Sequence, residues 1–398
     1  MSSSNILSDS RTFSEALFEK MKLLSPGIQE LELYEFRYGL AELVPQGGWG
    51  SVELASRDAI ETRVNDRAFY DNIQIKPKVG GRIVLDPEIV HLTRMLFIGL
   101  VTGEYPPAWV EKHFYFDIRS FFFLHHTLYF TEKVLAHLGG KPYRQFEQKQ
   151  KALGCQQDIG YRAFREANAE VDQLFIQSVM KLIAARGTPI LIAIAGATAA
   201  GKTEIVERLI SVFHQAGQKV AAVELDNFFT DRDYREARGI DSQGKAAYHF
   251  DLFLQSLEDI THGKSIRIPH YDTIDATSSH DLNGKLKPGR VPVEIEPADI
   301  ILIEGNFPFL IEEVLHLIGI KVVYLTDDAV RMKRKWKRDI DYRKKYDSTY
   351  FRNRYFKEQF IMAQFAYIPQ METCDMTVDT TGAALWTTPE IAQILDQS

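Results

Sequence analysis

The run Gly196, Ala197, Thr198, Ala199, Ala200, Gly201, Lys202 and Thr203 follows the pattern G-x-x-x-x-G-K-[ST]. Residues of these types at this spacing wrap nucleotide phosphates. The two glycines let the backbone curl until its N–H groups face an anion. A helix starting just beyond adds its positive end. The lysine reaches the β- and γ-phosphates and the threonine hydroxyl ligates Mg²⁺.

Acids and bases for further chemistry lie downstream. Asp226 ends the apolar run KVAAVELD. A right-handed crossover places the end of that run beside the phosphate loop. A carboxylate there accepts a proton from an attacking hydroxyl or holds Mg²⁺ through water; the competing reading is a helix cap. Glu304 ends IILIE, four apolar residues and an acid, the pattern whose carboxylate organises Mg²⁺ and its waters. The stretch RMKRKWKRDIDYRKK sets Arg331, Arg334, Arg338 and Lys345 near one helical face. Such a helix acts as a lid that brings guanidinium groups onto a transferred phosphoryl, or else is a solvated charged face or a phosphate-backbone patch. The polar turn VDTTG at 378–382 is placed to border an adenine. His125 and His126, with His91, His113 and His137 nearby, have no acid or cysteine at ligand spacing and read as core or rim residues.

The loop works only between a strand and a helix, and the flanking residues supply both. PILIAIA, 189–195, is short, apolar and rich in β-branched residues, as a buried parallel strand requires. After the loop, Ile205, Val206, Leu209, Ile210 and Phe213 recur at helical spacing. Further strands are expected in 219–226, 299–305, 321–327 and 375–382. Helices are expected over 203–216, 251–262, 329–345, 350–366 and 389–395. Alternation of this kind makes a parallel sheet covered on both faces. Residues 265–298 read instead as a β-hairpin insertion beside the site.

The division into domains is expected at 185/186. Before it, 87–138 is aromatic and mostly helix-like, VPQGGWGSVEL is turn and loop, and 161–186 carries the apolar stripe of one long helix. The fold class is therefore α/β: a P-loop parallel sheet with helices on both faces, a lid helix and a small hairpin insertion, preceded by a mostly helical segment, 1–185.

Of the 398 residues, 45% are hydrophobic and 25% charged, and the net charge is −7. That balance suits a globular protein and argues against nucleic acid or an anionic membrane as the main partner. Two cysteines far apart exclude a disulfide scaffold and suit a reducing compartment, so a cytoplasmic protein is expected. No apolar run is long enough to span a bilayer.

Taken together, IAIAGATAAGKT, VELDNFF, FDLFLQSLEDITHGKSIRIPHYD, IILIEGNFPF and RMKRKWKRDIDYR resemble the uridine kinase and phosphoribulokinase family over roughly 188–382. That resemblance implies transfer of the γ-phosphoryl of ATP to a primary hydroxyl of a small sugar-bearing acceptor, with ATP and Mg²⁺ as cofactors. It makes Asp226 the general base, with Lys202 on the phosphates. Thr203, Glu304 and Asp226 serve Mg²⁺, and Arg338 and Arg343 are lid arginines. Tyr271, Asp272, Phe229 and Asp241 become the acceptor-side residues. The pattern also departs from the family. Ala276 stands about where a base-reading histidine is usual, Phe229 stands for a tyrosine, and the D-H-P-x-A-F-D stretch is missing. A site lacking those partners does not read a plain pyrimidine nucleoside well.

The leading expectation is a small-molecule kinase. An ATP-binding regulatory module and a nucleic-acid end kinase are the alternatives. Residues 1–185 are left three roles: completing the acceptor site, forming a homo-oligomer interface, or binding a separate ligand.

Overall fold

The computed structural model describes residues 3–24, 32–65, 76–79, 82–84, 87–113, 115–117, 122–124, 127–154, 161–240, 244–327, 330–331, 334–335, 338 and 357–397. Arg343, Asp241, His125 and His126 lie outside these residues, as does most of the expected lid helix.

A seven-stranded sheet carries the phosphate loop. Its strands are β1 (Arg144–Gln145), β2 (Ile190–Ala195), β3 (Val220–Glu224), β4 (Ile300–Gly305), β5 (Ile318–Leu325), β6 (Met376–Asp379) and β7 (Ala384–Thr387). They lie in the order β1-β7-β6-β5-β2-β4-β3. From β6 to β3 the pairings are parallel, while β7 and β1 add an antiparallel edge. This edge departs from expectation: VDTTG is a turn between two strands, not a tail after the last one.

Period-two alternation sorts the strands' side chains between two cores. Ile190, Ile192 and Ile194 join Ile205, Leu209 and Phe213 of the helix α2 (Lys202–Gln215), with Phe175, Val179 and Leu182 from α1 (Ala169–Arg186). Leu191, Ala193 and Ala195 face the other way, toward Val134, Leu138, Phe253, Leu257 and Tyr367. Helices thus cover both faces, and this is why β2 and the first four residues of β4 are apolar without alternation.

The expected division at 185/186 runs through this packing. β1 and nearly all of α1 lie before residue 186, β1 as the edge strand of the sheet and α1 packed on its face. The expected single helix over 161–186 is two, Tyr161–Ala167 and α1. They meet at Asn168, whose side-chain carbonyl accepts from Gln150 Nε2 at 2.8 Å. Earlier in the chain, Phe13, Leu17, Phe36, Trp49, Phe97 and Val110 form a separate helical core. There Phe13 stacks on Trp49 with ring centroids 4.1 Å apart. Part of the aromatic stretch read as helix-like is instead a hairpin, Tyr115–Asp117 with Phe122–Leu124.

The insertion forms as expected. Ile266–Ile268 pairs antiparallel with Val293–Ile295, and Tyr271–Asp272 pairs with Thr277–Ser278.

Candidate active site

The phosphate loop leaves the end of β2 and turns directly into α2. Its first glycine has no room for a side chain, since a Cβ on Gly196 would sit 2.3 Å from the Tyr324 carbonyl oxygen. Gly201 has φ +107°, and Ala199 also adopts a positive φ, +61°. Left-handed backbone at such positions is what lets a loop turn successive N–H groups toward an anion. Lys202 Nζ lies across the loop, donating to the carbonyls of Gly196 at 2.9 Å and Ala197 at 3.1 Å, and to Asn306 Oδ1 at 3.5 Å.

Glu304 stands beside the loop because β4 neighbours β2. It is buried, and its Oε1 accepts from Thr203 Oγ1 at 2.8 Å. Its Oε2 has no hydrogen-bond partner among the described residues. Burial pushes the Glu304 carboxyl up to about 7, against the pull of Lys202 and Thr203 and with the push of Glu224 and Asp226. A buried carboxylate oxygen left without a partner is costly. A divalent cation held by oxygen donors removes that cost, so Thr203 and Glu304 fit Mg²⁺.

Asp226 is not on a strand. β3 ends at Glu224, and Asp226 lies in the 3₁₀ turn Leu225–Phe228 that follows. Nor does β3 adjoin β2, because β4 lies between them with Glu304 in register with Glu224. Asp226 is exposed. The expected crossover to the neighbouring strand is thus a crossover one strand further out, which separates Asp226 from the loop by the width of β4.

Two arginines of the basic segment reach the loop. Arg334 donates to the Ala200 carbonyl at 3.2 Å and to Glu204 at 3.4 Å, and it stacks over Phe164 at 4.8 Å. Arg338 Nη2 lies 3.5 Å from Thr198 Oγ1. Arg331, expected on the same working face, is fully buried instead.

The turn after β6 is tied to the loop from behind. Thr326 Oγ1 donates to the Ala200 carbonyl at 2.8 Å and meets Thr380 Oγ1 at 2.6 Å. Thr380 and Thr381 both donate to Gln150 Oε1, at 2.8 and 3.2 Å. Gln150, wholly buried, was missed in the sequence because its partners lie about 230 residues away. Asp172 of α1 is a second such link. It accepts from Tyr324 Oη at 2.7 Å and from Arg208 on α2. Burial pushes its carboxyl up to about 6.

The insertion meets the turn that carries Asp226. Asn227 Oδ1 accepts from the Tyr271 N–H at 3.2 Å. Phe229 stacks on Tyr248 at 4.3 Å and lies 5.5 Å from the Tyr271 ring. Phe229 and Tyr271, two of the residues the family resemblance marks for an acceptor, are thus brought together. Asp272 is engaged elsewhere: its Oδ1 accepts from the N–H groups of Ile274 at 2.8 Å and Asp275 at 3.1 Å, closing the hairpin turn. Ala276 takes φ +57° in that hairpin. Sequence reasoning missed Arg235, whose guanidinium lies 4.8 Å from the Phe229 ring centroid and donates to Tyr271 Oη at 3.1 Å. It also missed Tyr248, and Asn306 beside Lys202. Asn306 stands two residues after Glu304, the one signal that marked it.

A phosphate loop at the end of one strand, a carboxylate at the end of the next and two arginines against the loop make up a P-loop nucleotide-binding site. The profile of the phosphoribulokinase / uridine kinase family matches residues 191–385. A uridine kinase of Brevibacillus brevis is 31% identical over 160 residues, covering 39% of this chain and 69% of its own length. One from Macrococcus caseolyticus is 28% identical over 156 residues, 38% of this chain and 70% of its own. Among solved structures, a phosphoribulokinase from Rhodobacter spheroides aligns with a TM-score of 0.32 at 15% identity, over 48% of this chain and 69% of that one. The chain belongs to the phosphoribulokinase / uridine kinase family.

Proposed function

We propose that this chain transfers the γ-phosphoryl group of ATP, with Mg²⁺, to a hydroxyl of a small nucleoside- or sugar-like acceptor other than plain uridine. The observation that carries the reading is the Thr203–Glu304 pair, with its unpartnered buried oxygen, at the mouth of a loop spanned by Lys202. ATP brings the phosphoryl group, and Mg²⁺ neutralises its oxygens when bound. Asp226 takes the proton from the acceptor hydroxyl as the new P–O bond forms and the bond to the β-phosphate breaks, leaving ADP. Lys202, Arg334 and Arg338 meet the charge that develops on the phosphoryl oxygens, and Arg343 is assigned to the same lid. Phe229 and Tyr271 line the acceptor, and Asp241 stays a candidate there.

The departures from the family at Ala276 and Phe229 support an acceptor other than a plain pyrimidine nucleoside. Among the described residues no helix is long and apolar enough to cross a membrane. We assign the protein to the cytoplasm, with a small-molecule partner and no nucleic acid, and we divide it between the helical core of 13–110 and the sheet-bearing remainder.

The test is ADP release from Mg·ATP against nucleosides, pentoses, sugar phosphates, polyols and hydroxy acids, with Lys202→Ala as blank. Acceptor-dependent release that vanishes in the variant is expected. ATP binding without release for any acceptor overturns the reading in favour of a regulatory module.

A further inference from the structure

The family profile begins at residue 191, yet a side chain from before it lies on an arginine of the phosphate site. Phe164, on the helix Tyr161–Ala167, is buried and packs against Val330 at the root of the basic segment. The guanidinium of Arg334 lies 4.8 Å from the centre of its ring. That root is sunk in the protein. Val330, Arg331 and Lys335 are all buried, and the Arg331 N–H donates to the Asp327 carbonyl at 3.0 Å.

Arg334 is thereby held among three groups: the Phe164 ring, the Ala200 carbonyl at 3.2 Å and Glu204 at 3.4 Å. Its side chain is only 13% exposed, and a cation over a ring is held more firmly where water is excluded. The fit to the loop is close. A Cβ on Gly201 would lie 3.3 Å from Arg334 Nη1 and 3.2 Å from the Tyr324 ring. The Tyr324 hydroxyl is fixed in turn by Asp172 of α1.

What Arg334 does to the loop follows from the peptide bond. The C=O and N–H of a planar trans peptide point opposite ways. Arg334 and Thr326 both donate to the Ala200 carbonyl. Together they hold that oxygen outward and turn the Gly201 N–H of the same peptide to the other side. Such backbone N–H groups are what a phosphate loop offers its anion. One that is aimed before the anion arrives needs no reordering on binding.

We infer that Phe164 is a positioning residue for the nucleotide: it seats Arg334 on the Ala200 carbonyl and so aims the Gly201 N–H at a phosphate. A residue outside the family's matched segment thus has a part in the site. The inference rests on the reading of the loop as a nucleotide site and is independent of phosphoryl transfer.

The test is the Kd of the full-length protein for Mg·ADP, by calorimetry. ADP lacks the transferred phosphoryl, so the charge that Arg334 brings to that group does not enter, and the seating of the loop is what is read. Phe164→Leu keeps an apolar side chain against Val330 and removes the ring face. Its Kd should rise roughly 3- to 30-fold, the worth of a cation–π contact shielded from water. Phe164→Tyr keeps the face and should bind within about twofold of wild type. Arg334→Gln should also weaken binding, and adding Phe164→Leu to it should change nothing further, because the two act as one unit. A purely structural Phe164 would lower the thermal midpoint and leave the Kd alone. Phe164→Met, which also fills the space without a ring, takes the place of Phe164→Leu if that variant fails to fold. A wild-type Kd in the ringless variant, a loss in Phe164→Tyr as large as in Phe164→Leu, or an equal loss with and without Arg334 overturns the inference. Wild-type protein that binds no Mg·ADP breaks the nucleotide reading and this inference with it. Mg·ADP binding without acceptor-dependent ADP release from Mg·ATP breaks the transfer reading alone.

Discussion

At the phosphate end the working groups come from backbone and strand ends: a loop bent at Ala199 and Gly201, a lysine lying on its own loop's carbonyls, and Glu304 at the end of the adjacent strand. At the end proposed for the acceptor they are side chains from turns and an insertion, with Phe229, Tyr248, Tyr271 and Arg235 leaning on one another. The first is fixed by sheet topology and changes only if the sheet changes. The second hangs on loops, where residues are exchanged without disturbing a core.

Substitutions at the two ends should therefore fail in different ways. Asp226→Asn should lower kcat by about 10²- to 10⁴-fold, the usual worth of a general base, while the Kd for Mg·ATP stays within a few-fold. Lys202→Ala should lose roughly 10²- to 10³-fold, as expected for a preorganised charge at the transferring group, and should weaken nucleotide binding too. Wild-type turnover in Asp226→Asn would remove the base from the scheme and leave the phosphate end to act alone.

The next effect is on stability and tests how far the phosphate end reaches outward. Asp172 ties α1 to Tyr324 and Arg208 and has its carboxyl raised by burial from 3.8 to about 6. The folded protein thus prefers the protonated form. The stability this contributes is complete below about 3.8 and is lost as pH rises through about 6, on the order of 3 kcal/mol. Denaturant midpoints of wild type should fall between pH 4 and 6 relative to Asp172→Asn; parallel curves would contradict the raised carboxyl.

Gly196→Ala should destabilise by roughly 1–3 kcal/mol, since its Cβ would have to displace backbone. A thermal midpoint equal to wild type would mean that the phosphate end is less rigid than its geometry implies. The smallest effect is at the acceptor end. Tyr271→Phe, which loses one hydrogen bond to Arg235, should cost about 1 kcal/mol. It should appear as a KM for the acceptor several-fold higher with Mg·ATP affinity unchanged. An equal loss in nucleotide affinity would erase the distinction between the ends.

The same contrast governs what was readable from the chain. Lys202, Thr203 and Glu304 announce themselves because the loop is contiguous and a buried strand ending in an acid is a short local pattern. Asn306, two residues on, was within the same stretch but its role depends on where Lys202 points. Arg235 and Gln150 left no local trace. One is a polar residue in a six-residue helix, and the other acts on threonines about 230 residues away. The order of β3 and β4 was not legible for a related reason. Apolar runs tell that strands exist and are buried, while their order is set by long-range pairing. β7, ALWT, is only four residues long and follows a glycine turn, too short for periodicity to speak.

The contribution of β1 and α1 to the sheet has a practical consequence. A fragment starting at residue 186 would keep every residue of the phosphate loop and still be a poor protein. It would uncover the side chains of Val179, Leu182 and Ile183's partners, Ile190, Ile192 and Ile194 among them. It would open the edge of β7 to solvent as an unpaired template, and it would leave Thr380 and Thr381 without Gln150. Such a fragment should come out of cells as insoluble material, whereas one starting near residue 127 should stay in solution.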